Sequence, residues 1–155
     1  MDDSQRLDLI AEAVRYCQRV KALGMPVACY TKALREPVHF LWERRAGSKM
    51  RCARFCSKDA TGLRFGTGQL IYDHAVPFSY LQQELLSLDP VTAEGVAGVL
   101  GRFGTVVLIT ESENARLNAA GYGRKMPANW DGADPLARYR SVGIEVLEIA
   151  ERPES

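Results

Sequence analysis

The sequence predicts an α+β fold, and three observations predict it. Leu7, Ile10, Val14, Cys17 and Val20 recur at three- and four-residue spacing, which marks an amphipathic helix over residues 4–23. Thr105-Val106-Val107-Leu108-Ile109-Thr110 is β-branched and apolar inside, which marks a well-covered strand. Thr110-x-x-Glu113 is a capping box, so a helix begins where that strand stops. The chain has 155 residues, 46% hydrophobic and 25% charged, which fits one ordinary globular domain over 1–155 and argues against disorder. A chain of this length buries about two thirds of its unfolded surface without needing staples.

Within that domain the chain divides into a helical, basic part over 1–60, a core over 61–123 and a C-terminal loop and helix or strand over 124–155. The first helix is capped by Ser4 or Asp3 and ends at Gly24 and Pro26. A second helix is expected over 31–46, with Thr31 as a cap. Pro37 fits if the helix starts late, near Glu36. Val38, Phe40, Leu41 and Trp42 give it an apolar face, and His39 beside them reads as a satisfied side chain. Gly47-Ser48 ends it. Met50–Ser57 alternates basic and apolar residues and suits a strand or an irregular edge. Leu63–Phe65 reads as a short strand between glycine turns. Gly66-x-Gly68 lacks the third glycine of a dinucleotide fingerprint.

Leu70-Ile71-Tyr72-Asp73-His74-Ala75-Val76-Pro77-Phe78 is the stretch on which the chemistry turns. Three apolar residues run into an acid and an imidazole, and Pro77 stops the strand. Helices are expected over Tyr80–Leu88, closed by Asp89-Pro90, and from Thr92 to about Arg102. The helix after Thr110 ends at Gly121 or Gly123. Its Asn114 and Asn118 lie one turn apart on one face. Met126–Gly132 is a loop. Asp134 caps a final helical segment with Pro135 in its first turn and Leu136, Ala137 and Tyr139 as packing residues. Ile144–Ile149 alternates apolar and acidic residues and fits a last strand or a short amphipathic helix.

Charge is unevenly spread. Residues 1–60 hold twelve Lys and Arg against seven Asp and Glu, and residues 61–155 hold eight against twelve. Arg44, Arg45, Lys49, Arg51, Arg54 and Lys58 fall within fifteen positions, a cluster suited to phosphates. Cys52 and Cys56 are four apart, but no second Cys/His pair follows at zinc spacing, so both read as reduced thiols. No apolar run approaches the roughly 18 residues of a membrane span. The acidic Met1-Asp2-Asp3-Ser4 start is unlike a signal peptide, so a cytoplasmic location is expected.

Asp73-His74-Ala75-Val76-Pro77 resembles the D-H-[IV]-[IV]-P opening of HNH nucleases, the ββα-metal class. Val107-Leu108-Ile109-Thr110-Glu111-Ser112-Glu113-Asn114 is similar to the second half of the HNH domains in RNA-guided CRISPR nucleases. The resemblance covers about a quarter of the chain. It implies a ββα-metal core with an N-terminal helical extension and inserted helices over 79–103. It also implies metal-dependent hydrolysis of DNA phosphodiester bonds, with RNA as the other candidate substrate. His74 takes the role of general base, and Asp73 and Asn114 those of ligands to Mg²⁺ or Mn²⁺. Asn118 and Glu113 are the alternates. Arg44, Arg45, Lys49, Arg51 and Arg54 would grip the nucleic-acid backbone, and residues 1–60 are open to a protein partner. The asparagine that orients the histidine in the family has no counterpart here. The competing expectation is a non-catalytic module on the same fold, binding nucleic acid or acting as an inhibitor or immunity-type protein. Turnover of another phosphoester at the same centre is a third.

Overall fold

The structure is a computed structural model that describes residues 1–64, 66 and 69–149. The chain is α+β. It divides into two compact units: Met1–Ala46 with Phe78–Gly101, and Gly47–Pro77 with Arg102–Ser155. The helices inserted between the two predicted central strands thus join the N-terminal helices in one unit. The chain leaves that unit after Ala46 and re-enters it at Phe78.

The first unit is helical. Helix α1 runs Asp3–Ala22. Its cap is Asp2, one residue earlier than expected, in a reciprocal capping box with Gln5. Ile10, Ala11, Val14 and Cys17 form its buried stripe. Burial pushes the Cys17 thiol above its ordinary pKa. Helix α2 spans Val27–Pro37 and starts behind Pro26, well before the expected Thr31 cap. Thr31 instead donates its hydroxyl to Gln82 at 2.8 Å.

Pro37 does not start a helix. It lies at the end of α2, and the helix continues as a π turn over Val38–Trp42 and a 3₁₀ turn over Glu43–Ala46. Proline has no N–H for the i−4 carbonyl and its ring crowds that turn, and a widened turn accommodates both effects. His39 Nδ1 meets the buried Glu43 carboxylate at 2.7 Å. Helix α4 spans Phe78–Leu86 and α5 Ala93–Phe103. Thr92 Oγ1 accepts from Gly95 N at the start of α5.

The second unit carries a four-stranded mixed sheet. One turn of helix, α3 (Lys49–Cys52), precedes β1 (Phe55–Ser57), so the basic–apolar alternation of Met50–Ser57 is only partly strand. Strand β2 is Leu70–His74, β3 Val106–Thr110 and β4 Val146–Glu148, in the order β2-β3-β1-β4. β2 pairs antiparallel with β3, β1 parallel with β3, and β4 antiparallel with β1. The C-terminal alternation therefore resolves as a strand. Leu63 and Arg64 are not in a strand, and Phe65, the end of the expected strand, lies outside the described residues, as do Thr67 and Gly68.

Helix α6 (Glu111–Ala119) follows β3 without a gap. It closes on Gly121 (φ +83°), where Tyr122 N bonds Leu117 O and Gly121 N bonds Asn118 O. That double bond pattern needs a left-handed residue at Gly121. Helix α7 is Ala137–Ser141, shorter than the expected segment: its cap position is Leu136, which makes no side-chain cap bond, so Asp134 does not cap it and Pro135 precedes its first turn; Asp134 Oδ1 accepts from Leu136 N in the turn ahead of it.

Side chains alternate across a strand, so the sheet has two distinct faces. One packs Val107 and Ile109 against Leu117, Tyr139 and Ile144. The other packs Leu70, Val106 and Leu108 against Ala53 and Ala60.

Candidate functional site

The register puts Asp73 opposite Val107 and His74 opposite Val106, at the end of β2. Forty residues apart in sequence, Asp73–His74 and Asn114 are thus brought onto one strand–strand–helix element. Their side chains part company. Asp73 shares its face with Val107 and aims at α7. His74 faces the other way, and its ring stands edge-on to Tyr72 with centroids 5.7 Å apart.

The Asp73 carboxylate is held by two groups that follow one another on α7. Tyr139 Oη donates to Oδ2 at 2.5 Å and Arg138 Nη1 donates to the same oxygen at 3.1 Å. The Arg138 side chain is 1% exposed and that of Asp73 16%. The guanidinium also donates to backbone: Nε to Tyr122 O at 2.6 Å, and the same Nη1 to His74 O at 2.8 Å and Ala75 O at 3.3 Å. Arg138 therefore ties the end of β2 to the loop after α6. Burial and the adjacent Asp73 carboxylate push the Tyr139 phenol well above its ordinary pKa. The hydroxyl stays protonated and remains a donor.

Glu113 is 2% exposed and is already committed. Its Oε1 accepts from Thr110 N at 2.9 Å, closing the capping box, and from Ser57 Oγ at 2.6 Å, bracing α6 against β1. Asn114 sits half-buried on the flank of the face that carries Glu113 and Leu117. Asn118 is exposed and turns its amide toward the next loop, where a Cβ on Gly123 would fall on Asn118 Oδ1.

The resemblance implies Mg²⁺ or Mn²⁺ on Asp73 and Asn114, and the donor set does not fit. A hard divalent ion is held chiefly by carboxylate charge. Here a guanidinium 3.1 Å from Asp73 offsets its one negative charge, and Asn114 brings none. Glu113, the acid that could restore the balance, is turned into its cap. Among the described residues no group of three or more His, Cys, Asp or Glu side chains is placed to hold a metal. Cys52 and Cys56 are free thiols.

The expected phosphate-gripping residues fall in both units. In the first, Arg45 stacks its guanidinium 3.7 Å above the Trp42 ring and donates to Trp42 O at 2.7 Å. Arg44 is exposed. In the second, Arg54 pairs with Glu148 at 3.2 Å, Lys49 lies 5.7 Å from the Tyr72 ring centroid, and Arg51 is exposed. Lys49, Tyr72 and His74 thus form a basic–aromatic cluster on the face away from Asp73.

Sequence reasoning missed Arg138 and Ser57. Tyr139 was recognisable as a packing residue, but no periodicity marks an arginine whose partners come from β2 and from a loop 16 residues upstream. The chain matches no family model, no curated protein and no solved structure.

Proposed function

We propose that the second unit is an HNH-like ββα module that binds nucleic acid without hydrolysing it. The observation that carries the reading is the division of labour at the end of β2. Asp73 is drawn inward as the counter-charge of Arg138, while His74 joins Tyr72 and Lys49 on the opposite face. An aromatic ring flanked by a lysine and an imidazole suits a base stacked beside a backbone phosphate. The wider element, β2 antiparallel to β3 with α6 directly after, supports the HNH-like part of the reading. The test is fluorescence anisotropy with labelled single-stranded and duplex DNA and RNA, at rising salt, with and without Mg²⁺ or Mn²⁺. Expected is salt-sensitive binding that Lys49→Glu weakens at least fivefold, with no cleavage under any metal. Binding to none of these nucleic acids at low salt refutes the proposal.

The order β2-β3-α6 favours a second reading, a metal-dependent endonuclease with His74 as general base. Its signature is cleavage that requires Mg²⁺ or Mn²⁺ and disappears in His74→Ala while the fold survives. Observing that signature replaces the first reading with the second.

A further inference from the structure

Helix α1 of the first unit carries two apolar stripes, and only one of them is buried. Ile10, Ala11, Val14 and Cys17 form the buried one. Leu9, Ala13, Tyr16, Val20 and Leu23 form the other, spaced alternately four and three residues apart. That alternation is the a/d repeat of a coiled-coil seam. At 100° per residue the second stripe lies roughly a third of the way round the helix from the first. Leu9 is 46% exposed, Tyr16 41% and Leu23 86%, while Ala13 and Val20 are half-buried. Large apolar side chains in a row on the surface mark an interaction site rather than a folding need.

The charges beside the seam say what covers it. Leu9, Tyr16 and Leu23 take the d positions, and Ala13 and Val20 the a positions. The e flank then holds Ile10 and Cys17, both buried in their own unit. The g flank holds Glu12 and Arg19, exposed and opposite in sign. Glu12 pairs with Arg15 one turn on, and Arg15 Nη2 also donates to Val91 O at 2.7 Å. A carboxylate accepts more than one donor, so Glu12 has room for a second cation. Arg19 has no bonded partner among the described residues.

A two-fold axis across the seam sets two copies of α1 antiparallel and brings the g flank of each against that of the other. Arg19 then meets Glu12 of the second copy, twice by symmetry. Positions a and d face one another, so Ala13 lies against Tyr16 and Val20 against Leu9, small beside large in both layers. The aliphatic stem of Arg6 falls over Leu23. A parallel pair would instead stack Tyr16 on Tyr16. It would also aim Glu12 and Arg19 at the e flank, where Ile10 and Cys17 offer no charge.

We infer that the chain forms an antiparallel two-fold homodimer through the Leu9–Leu23 face of α1, with Glu12 and Arg19 setting the order. The inference is independent of the nucleic-acid reading, which concerns the second unit.

The test is sedimentation equilibrium of the full chain from low micromolar concentration to about 500 µM, since one helix pair is a small interface with an affinity in the micromolar range. Expected is a monomer–dimer equilibrium that Leu9→Lys weakens at least tenfold with unchanged far-ultraviolet circular dichroism. Arg19→Glu, at an exposed and unpaired position, weakens it at least fivefold by facing Glu12 of the second copy. Adding Glu12→Arg to Arg19→Glu restores most of that loss, because the charges again oppose. A monomer at every concentration overturns the inference, including one that instead binds anionic lipid vesicles through the same face. A dimer indifferent to Leu9→Lys overturns it as well. Failure of Glu12→Arg to rescue Arg19→Glu overturns the antiparallel order.

Discussion

Removing the Asp73 carboxylate is the sharpest perturbation of the second unit. In Asp73→Ala the Arg138 guanidinium loses its counter-ion while its side chain stays 1% exposed, and Tyr139 Oη loses its acceptor. Breaking a buried pair from one side costs about 3–5 kcal/mol, because the surviving charge stays desolvated. Three carbonyls still receive Arg138, from Tyr122, His74 and Ala75, which places the cost near the low end, at about 3 kcal/mol. Asp73→Asn keeps an acceptor and loses the charge, for about 1–2 kcal/mol. The assay is urea unfolding followed by Trp130 fluorescence in a Trp42→Phe background, since Trp130 lies in the second unit. A midpoint shift at constant slope gives the free-energy change. A loss below about 1 kcal/mol in Asp73→Ala would refute the claim that Asp73 is committed to Arg138. So would Mg²⁺ protecting the wild-type protein from unfolding but not the variant.

The other predictions follow from the same contacts. Tyr139→Phe removes one hydrogen bond to a charged acceptor and lowers stability by about 1.5–3 kcal/mol, read by the same urea midpoint. Tyr139 also sets an alkaline limit. Its folded pKa is raised above the unfolded value of about 10, so its contribution is complete below pH ~10. Above that, the unfolded chain loses a proton that the folded chain retains, and stability falls by about 1.4 kcal/mol per pH unit until the folded pKa is reached. Tyr139→Phe removes that part of the slope, and equal slopes in the two proteins contradict it. Ser57→Ala strips Glu113 of its Ser57 donor and costs about 1–3 kcal/mol, whereas Thr110→Ala removes only the cap to Glu113 N and costs about 1 kcal/mol. A Ser57→Ala loss well below about 1 kcal/mol would mean that Ser57 adds nothing to the cap.

Local patterns in the sequence were sufficient for much of the fold. The stripe of α1, the β3 run and the Thr110–Glu113 capping box are decided by neighbours within a few residues. Each is present in the structure, because helix periodicity, β-branching and caps act at that range. Misreadings occurred where two local signals competed. Pro37 looked like a helix start, but Pro26 starts α2 and a π turn carries the chain past Pro37. Met50–Ser57 suited a strand or an irregular edge, yet its first residues form a helical turn ahead of the three-residue β1.

The candidate site was legible only as a list of residue types. The sequence put Asp73 and His74 side by side, and period-two alternation then sent them to opposite faces of the sheet. It identified Glu113 as a cap, but the second bond from Ser57 depends on β1 lying next to β3. Above all, it gave no sign that Asp73 would face Arg138 and Tyr139, 65 and 66 residues away. Sequence by itself determined β2, β3, the long first helix and the helix that follows β3. Tertiary structure alone decided that the acid of the Asp-His pair is a buried counter-ion, because a carboxylate's role is set by the charges packed around it, and no local pattern encodes those.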